Sequence, residues 1–252
     1  MKCLVIHGSP RRGNTWDVLN ILKDEMQKNG DFTFEIIELA KEKIPNCVGC
    51  FNCIENGEDK CPHKSFIEPI LKKMEEADAF IITSPVYSMQ VTGLLKTFLD
   101  HMAFNFHRPR FYKKKALIIT TTAGAGHKDV AKYLKSVMYY WALNYVEVLP
   151  IAYRSYDLSE KNKEKIIKVA KSFSKELNTN IIHEPSYKSL IMYNLWKKLS
   201  LSSKDKMIAD YIYWSKEDCK DKYYFSEIPV GFAKKVGCRL FNIVMKSNFK
   251  EE

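Results

Sequence analysis

The chain has 252 residues, of which 46% are hydrophobic, and a formal charge of +10. That size can bury one sizeable core with an appendage, and no apolar run approaches the ~18–20 residues of a membrane span. The positive balance implies an anionic partner. However, the lysines are spread along the chain, and there is no helix-turn-helix spacing, finger pattern or aromatic RNA-binding motif, so nucleic acid is not expected. Met1-Lys2 leads straight into an apolar run, so no signal peptide and a cytoplasmic location are expected. The seven cysteines are then thiols, metal ligands or redox groups rather than disulfides.

Cys3–Ile6 reads as a strand buried on both faces. Gly8-Ser9-Pro10-Arg11-Arg12-Gly13 is a turn, after which Asn14 can cap a helix with Val18, Leu19, Leu22 and Met26 on one face, ended by Gly30. A strand, a glycine-bearing turn and a helix N-terminus together bind phosphate. The backbone N–H groups point at the anion, and the helix dipole adds roughly half a positive charge. Ser9, Asn14 and Thr15 can donate further hydrogen bonds, and Arg11 or Arg12 a full charge, with no acidic residue in the turn itself. Phe32–Leu39 alternates like an edge strand, and a cysteine-rich loop spans 44–62. Ser65–Ala77 is predicted helical with Pro69 in its first turn. Strand Ala79–Thr83 runs into Ser84-Pro85-Val86-Tyr87-Ser88 and a helix over Thr92–Met102, with Leu94, Leu95, Phe98 and Met102 inward. The basic aromatic loop Phe104–Lys115 precedes strand Ala116–Thr122 and the turn Ala123-Gly124-Ala125-Gly126-His127. Helix Asp129–Trp141, strand Tyr145–Ile151 and helix Ser159–Leu177 complete the alternation.

Five strands alternating with helices predict an α/β fold, a three-layer doubly wound parallel sheet. Strands one, three and four are the most apolar and so central, which gives the flavodoxin-like order 2-1-3-4-5. The loops after strands one, three and four then converge on one ligand. This domain spans 1–178. Residues 186–252 form a helical C-terminal extension, with Leu195 and Leu199 near its start. Near its end, Phe232, Val236, Leu240, Ile243 and Val244 form an apolar stripe among Lys234, Lys235, Arg239 and Lys246. Such a stripe is expected to pack against the parent domain or a second subunit; a lid over the ligand or a membrane-surface helix are the alternatives.

Tyr87 offers a flat ring beside a proline-stiffened backbone, and Gly124 and Gly126 let the backbone approach a ligand closely. A phosphate site facing a flat heteroaromatic site describes a nucleotide or flavin mononucleotide. Gly-Ser-Pro-Arg-Arg-Gly-Asn-Thr (8–15), Ser-Pro-Val-Tyr (84–87) and Thr-Ala-Gly-Ala-Gly (122–126) resemble the three flavin loops of NADPH-dependent FMN reductases. The resemblance covers about residues 1–178. It implies Ser9, Arg11, Asn14 and Thr15 at the FMN phosphate, and Pro85, Val86, Tyr87 and Ser88 along the isoalloxazine. It also implies Thr122, Ala123, Gly124 and Gly126 against the opposite part of the ring. It further implies an NAD(P)H co-substrate, a small acceptor (quinone, nitro compound or flavin) and a homodimer or homotetramer, with loop Phe104–Tyr112 near the interface. The hard chemistry is the cofactor's, so no catalytic acid or base is assigned, and His7, His101 and His127 are read as structural.

Cys47-x2-Cys50-x2-Cys53-x7-Cys61-Pro62 gathers four thiols that suit an Fe–S cluster or zinc. Unligated, partly redox-active thiols are the alternative. The spacing resembles that of iron–sulfur flavoproteins, in which four cysteines hold a [4Fe–4S] cluster beside FMN. That resemblance implies a second function, an electron carrier relaying electrons between a ferredoxin-like redox protein and FMN. A binding module that keeps the fold without the cofactor is a third.

Overall fold

The computed structural model describes residues 1–154, 158–179, 181–220 and 222–248. Strands β1 (Lys2–His7), β2 (Thr33–Glu38), β3 (Ala79–Pro85), β4 (Lys115–Thr122) and β5 (Tyr145–Ala152) form one sheet. Every pair is parallel and the order is β2-β1-β3-β4-β5. β1, β3 and β4 are buried nearly throughout, whereas β2 has a single fully buried residue, Ile37. The expected topology and edges are therefore present.

The connecting helices are α1 (Asn14–Gln27), α2 (Leu39–Glu42), α3 (Asn52–Glu55), α4 (Lys64–Glu76), α5 (Gly93–His101), α6 (Phe104–His107), α7 (His127–Tyr140) and α8 (Glu160–Asn178). Alternate residues of each strand feed the two faces. Val5, Ile81 and Leu117 pack with Leu22 of α1 and Phe173 of α8. Leu4, Phe80 and Ile118 pack with Met74 of α4, Phe98 of α5 and Leu134 of α7.

Local chemistry shifts several boundaries. The N-cap of α1 is Gly13, without a side-chain cap, and Asn14 is the first helical residue; Gly30 lies beyond the helix, which ends at Gln27. Pro69 sits in the second turn of α4 rather than the first. Losing one helical bond there costs about 3 kcal/mol. Burial of Ile67, Ile70, Leu71 and Met74 on the sheet, at roughly 1.5–3 kcal/mol each, offsets it. α7 starts at His127, directly after Gly126 in the left-handed region.

Beyond α8 lie α9 (Tyr187–Ser202), α10 (Ile208–Trp214), α11 (Glu217–Lys220) and α12 (Phe232–Asn248). Ser186 caps α9 by accepting from Ser189 N. These helices share a core of Leu190, Tyr193, Trp214, Tyr224, Phe225, Ile228 and Cys238, joined to Ala142 after α7. Leu195 and Leu199 are half-buried. The expected packing of the α12 stripe is not seen within the chain: Phe232, Leu240 and Ile243 are exposed and Cys238 faces inward instead. The side chains of Val244 and Lys246 lie outside the described residues. Among the described residues no helix is long and apolar enough to cross a membrane.

One glycine fixes where the sheet can open. A Cβ on Gly8 would lie 2.8 Å from Thr83 O and 2.9 Å from Leu95 Cβ. Gly8→Ala is therefore expected to destabilise the chain by about 1–3 kcal/mol, read as a drop in thermal midpoint, with Gly13→Ala, whose Cβ would meet nothing closer than 3.8 Å, as the mild control.

Candidate functional site

At the end of β1, Gly8 N donates to Thr83 O at 2.9 Å. Thr92 Oγ1 donates to Gly8 O at 2.5 Å and accepts from Leu95 N, so one hydroxyl both caps α5 and holds the β1 turn. Ser9 Oγ donates to Arg11 O at 2.6 Å and accepts from Arg11 N, which folds the turn back on itself. Thr15 Oγ1 lies 2.6 Å from Thr121 Oγ1, tying α1 to β4. With no side-chain cap, the N–H groups of Gly13, Asn14 and Thr15 have no hydrogen-bond partner among the described residues. They are donors waiting for an acceptor.

The two arginines separate. Arg12 donates to both carboxylate oxygens of Glu38, at 3.1 and 2.6 Å, and lies 4.3 Å over the Trp16 ring. The acid that the turn lacks in sequence thus arrives from the end of β2. Arg11 is exposed, and its guanidinium has no polar partner among the described residues.

These groups open onto a cavity of about 190 Å³. Its walls are Ser9, Arg11, Gly13, Asn14 and Thr15 after β1, Pro85, Val86 and Tyr87 at the end of β3 and just beyond, and Thr121, Thr122 and Ala123 at the end of β4 and just beyond. Gly13 of the quoted turn and Thr121 join the residues expected from the sequence; Thr121 sits in a run of three threonines and pairs in register with Pro85. Ser88, Gly124 and Gly126 lie outside the walls. Ser88 and Met89 are left-handed (φ 47° and 64°) in a tight turn closed by Tyr87 N to Gln90 O at 3.0 Å. The two glycines after β4 differ. Space beside Gly124 is open, whereas a Cβ on Gly126 would meet Met89 at 3.1 Å and Val86 at 3.2 Å. Gly126, with φ 87°, makes room for the neighbouring loop.

Two histidines stand near these strand ends. His7 Nδ1 is 2.7 Å from Thr83 Oγ1, and burial pushes its pKa down. Burial, together with nearby cations including Lys165, does the same to His127. A larger cavity, about 470 Å³, lies at the opposite edge of the sheet. Its lysines are engaged: Lys114 donates to Glu75 and Ala77 carbonyls and Lys115 pairs with Glu176.

The cysteine loop makes a second hollow. Cys47, Cys50, Cys53 and Cys61 all line one cavity of about 130 Å³, with Phe51, Ile54, Pro62, His63, Asp100 and His101 among its walls. Left-handed Gly49 and Phe51 (φ 64° and 60°) bend the chain around it. Cys47 and Cys50 are exposed; Cys53 and Cys61 are half-buried. Burial, with the other thiols nearby, pushes Cys53 up to about 11. His101 Nε2 lies 2.8 Å from Pro45 O, and its Nδ1 is 3.9 Å from Cys61 Sγ. Among the described residues, no three His, Cys, Asp or Glu side chains converge on a point that would hold one metal ion. Four thiols lining one hollow are a donor set that fits an Fe–S cluster or zinc.

A doubly wound sheet with an uncapped helix N-terminus and three loops meeting at the β1/β3 crossover defines a flavodoxin-like nucleotide site. The NADPH-dependent FMN reductase family matches residues 1–154, and the chain belongs to that family. It is an FMN-dependent NAD(P)H oxidoreductase. An iron-sulfur flavoprotein of Archaeoglobus fulgidus is 29% identical over 225 residues, 86% of this chain and 99% of that protein. An FMN-dependent NADPH-azoreductase of Staphylococcus saprophyticus is 28% identical over 141 residues, 55% of this chain and 69% of that protein. An FMN-dependent NADH-azoreductase structure from Bacillus anthracis in complex with FMN superposes with a TM-score of 0.55 at 16% identity, covering 71% of this chain and 100% of that one.

Hydrogen bonds from Arg12, then Lys41, hold the Glu38 carboxyl down at about 2 from its ordinary 4.5. A depressed pKa means that the pair's stabilisation is complete above pH about 4.5 and is lost as pH falls toward about 2. Thermal midpoints of wild type should therefore fall more steeply through that window than those of Glu38→Gln. Because Arg12 is exposed, the difference should be small and should shrink in 1 M salt; parallel curves would mean the pair contributes nothing.

Proposed function

We propose that the crevice between the β1, β3 and β4 loops holds FMN. Ser9, Arg11, Asn14 and Thr15 would meet the phosphate. Pro85, Val86, Tyr87 and Ser88 would run along the isoalloxazine, with Thr122, Ala123, Gly124 and Gly126 at its opposite part. The observation that carries this reading is the set of unpartnered N–H donors of Gly13, Asn14 and Thr15, facing a cavity that also contains the unpaired Arg11. When bound, FMN supplies the N5 position that takes hydride from NAD(P)H and releases electrons to a second acceptor. The chain's part is to bind and orient. The α1 N-terminus and Arg11 fix the anionic end, Val86 N is committed to Thr121 O at 2.8 Å and keeps the β3 loop rigid, and Tyr87 offers a half-exposed flat ring. A small flat acceptor (quinone, nitro compound or flavin) suits so open a site. A homodimer or homotetramer would bring another chain over the exposed Tyr87 and Met89.

Cys47, Cys50, Cys53 and Cys61 are proposed as the ligands of a [4Fe–4S] cluster; what supports it is that all four line one small hollow. The cluster makes a second reading available, an electron carrier served by a ferredoxin-like protein. α5 joins the two sites: its cap Thr92 holds Gly8, and Asp100 and His101 at its far end line the cysteine hollow.

Arg11→Ala should weaken FMN binding roughly 10- to 100-fold, the loss of about 1.5–3 kcal/mol from a charged hydrogen bond, with the far-ultraviolet circular dichroism unchanged. Unaltered FMN affinity would mean the phosphate loop is misassigned. Anaerobically purified protein should carry about four iron and four sulfide per chain; iron-free protein sinks the cluster. Bleaching of the flavin by NADPH supports the reductase, and reduction by ferredoxin alone the carrier.

A further inference from the structure

Arg108, just after α6, carries a guanidinium that is 4% exposed and has no part in either site described above. Its Nη1 donates to Ile54 O at 3.0 Å, and its Nη2 donates to Cys53 O and to Glu58 at 3.0 Å. Beside Glu58, its second countercharge is Asp210 of α10, whose fully buried carboxylate takes Arg108 Nη1 on one oxygen and stands 2.7 Å from His107 Nδ1 with the other. His107 in turn stacks on Trp196 of α9, ring centroids 3.5 Å apart, and its carbonyl accepts from Trp214 Nε1 at 3.0 Å. A chain of buried polar contacts thus runs from the C-terminal helices to the backbone of a cysteine in the loop.

Attaching those helices does not need this ion pair. The apolar core around Trp214 and Tyr193 already does so, and desolvating two charges offsets most of their attraction. What the arginine adds is direction. Its rigid planar fork grips two consecutive carbonyls, those of Cys53 and Ile54. Holding both orients the Cys53–Ile54 peptide plane and the one after it, and so places the Cys53 Cα from which the thiol projects. An exposed lysine would supply charge without that geometry.

We infer that Asp210 is a positioning residue for the cysteine loop: acting through Arg108, it locks the Cys53–Ile54 peptide so that the Cys53 thiol is aimed at the cluster, and the C-terminal helices serve as the clamp of the cluster-holding loop. The inference rests on the four-cysteine cluster reading.

The test uses the full chain with FMN bound. In iron-depleted protein, iodoacetamide labelling resolved by mass spectrometry should modify Cys53 about tenfold faster in Asp210→Asn than in wild type, leaving Cys47 and Cys50 unchanged. In anaerobically purified protein, iron should pass to a chelator about 10- to 100-fold faster from the variant, the range seen when a supporting contact to a metal ligand is removed, and the resonance spectrum of the reduced cluster should broaden. Asp210→Asn leaves the buried arginine with Glu58 as its remaining countercharge, so Arg108→Met/Asp210→Leu removes the buried pair together while Glu58 keeps Arg110. It should bind FMN normally and show the same selective labelling of Cys53. Unchanged Cys53 labelling in both variants overturns the clamp and leaves the cluster reading intact. Uniform acceleration at every cysteine with loss of FMN also overturns it, because Asp210 would then only support the fold. A wild type without iron, but with selective Cys53 acceleration in the variants, overturns the cluster reading and with it the purpose assigned to the clamp.

Discussion

Everything at the carboxyl edge of the sheet depends on how β1 and β3 part. The two strands run side by side to His7 and Thr83, then turn toward opposite helical layers, α1 on one side and α5 on the other. The gap opened there is the crevice. Gly8 lets the backbones come close enough for Gly8 N to reach Thr83 O, and Thr92 then pins the same residue's carbonyl to the start of α5. A side chain on residue 8 would push β3 and α5 away together.

That geometry explains why α1 begins without a cap. An asparagine in Gly13's place could satisfy the first-turn donors from within the chain, as N-cap side chains usually do. Here Asn14 sits one position too late and reaches toward Tyr153 O at 3.5 Å, so the donors stay directed at the crevice. The pairing of Arg12 with Glu38 has a parallel effect, since it fixes one arginine on the edge strand and leaves the other lining the crevice.

The two hollows differ in how they are built. The crevice between the β1, β3 and β4 ends is made by strand ends, whose positions the whole sheet fixes, and its walls need few special contacts. The cysteine hollow is built on irregular backbone with left-handed residues at Lys43, Gly49, Phe51 and Gly57, and no strand passes through it. Its order comes from neighbours: His101 at the end of α5 holds Pro45, and Arg108 holds the carbonyls of α3. A reductase of this family thereby combines a site supported by regular structure with one supported by packed side chains.

The sequence by itself determined the α/β class, the strand order and the family. Burial on both faces makes a central strand such as Ile81-Ile82 apolar, while one wet face makes β2 alternate, and both patterns are local. The three loop motifs and the four-cysteine spacing are likewise contiguous stretches of chain. Tertiary structure decided what depends on partners distant in sequence. Glu38 claims Arg12 and Met89 fills the space at Gly126. Asp210 reaches Arg108 across 102 residues. The α12 stripe remains exposed while Cys238 turns inward. Periodicity says that a helix has an apolar face, but not which surface covers it. A charged residue in a list likewise does not reveal its counterion, because the fold alone brings the two into contact.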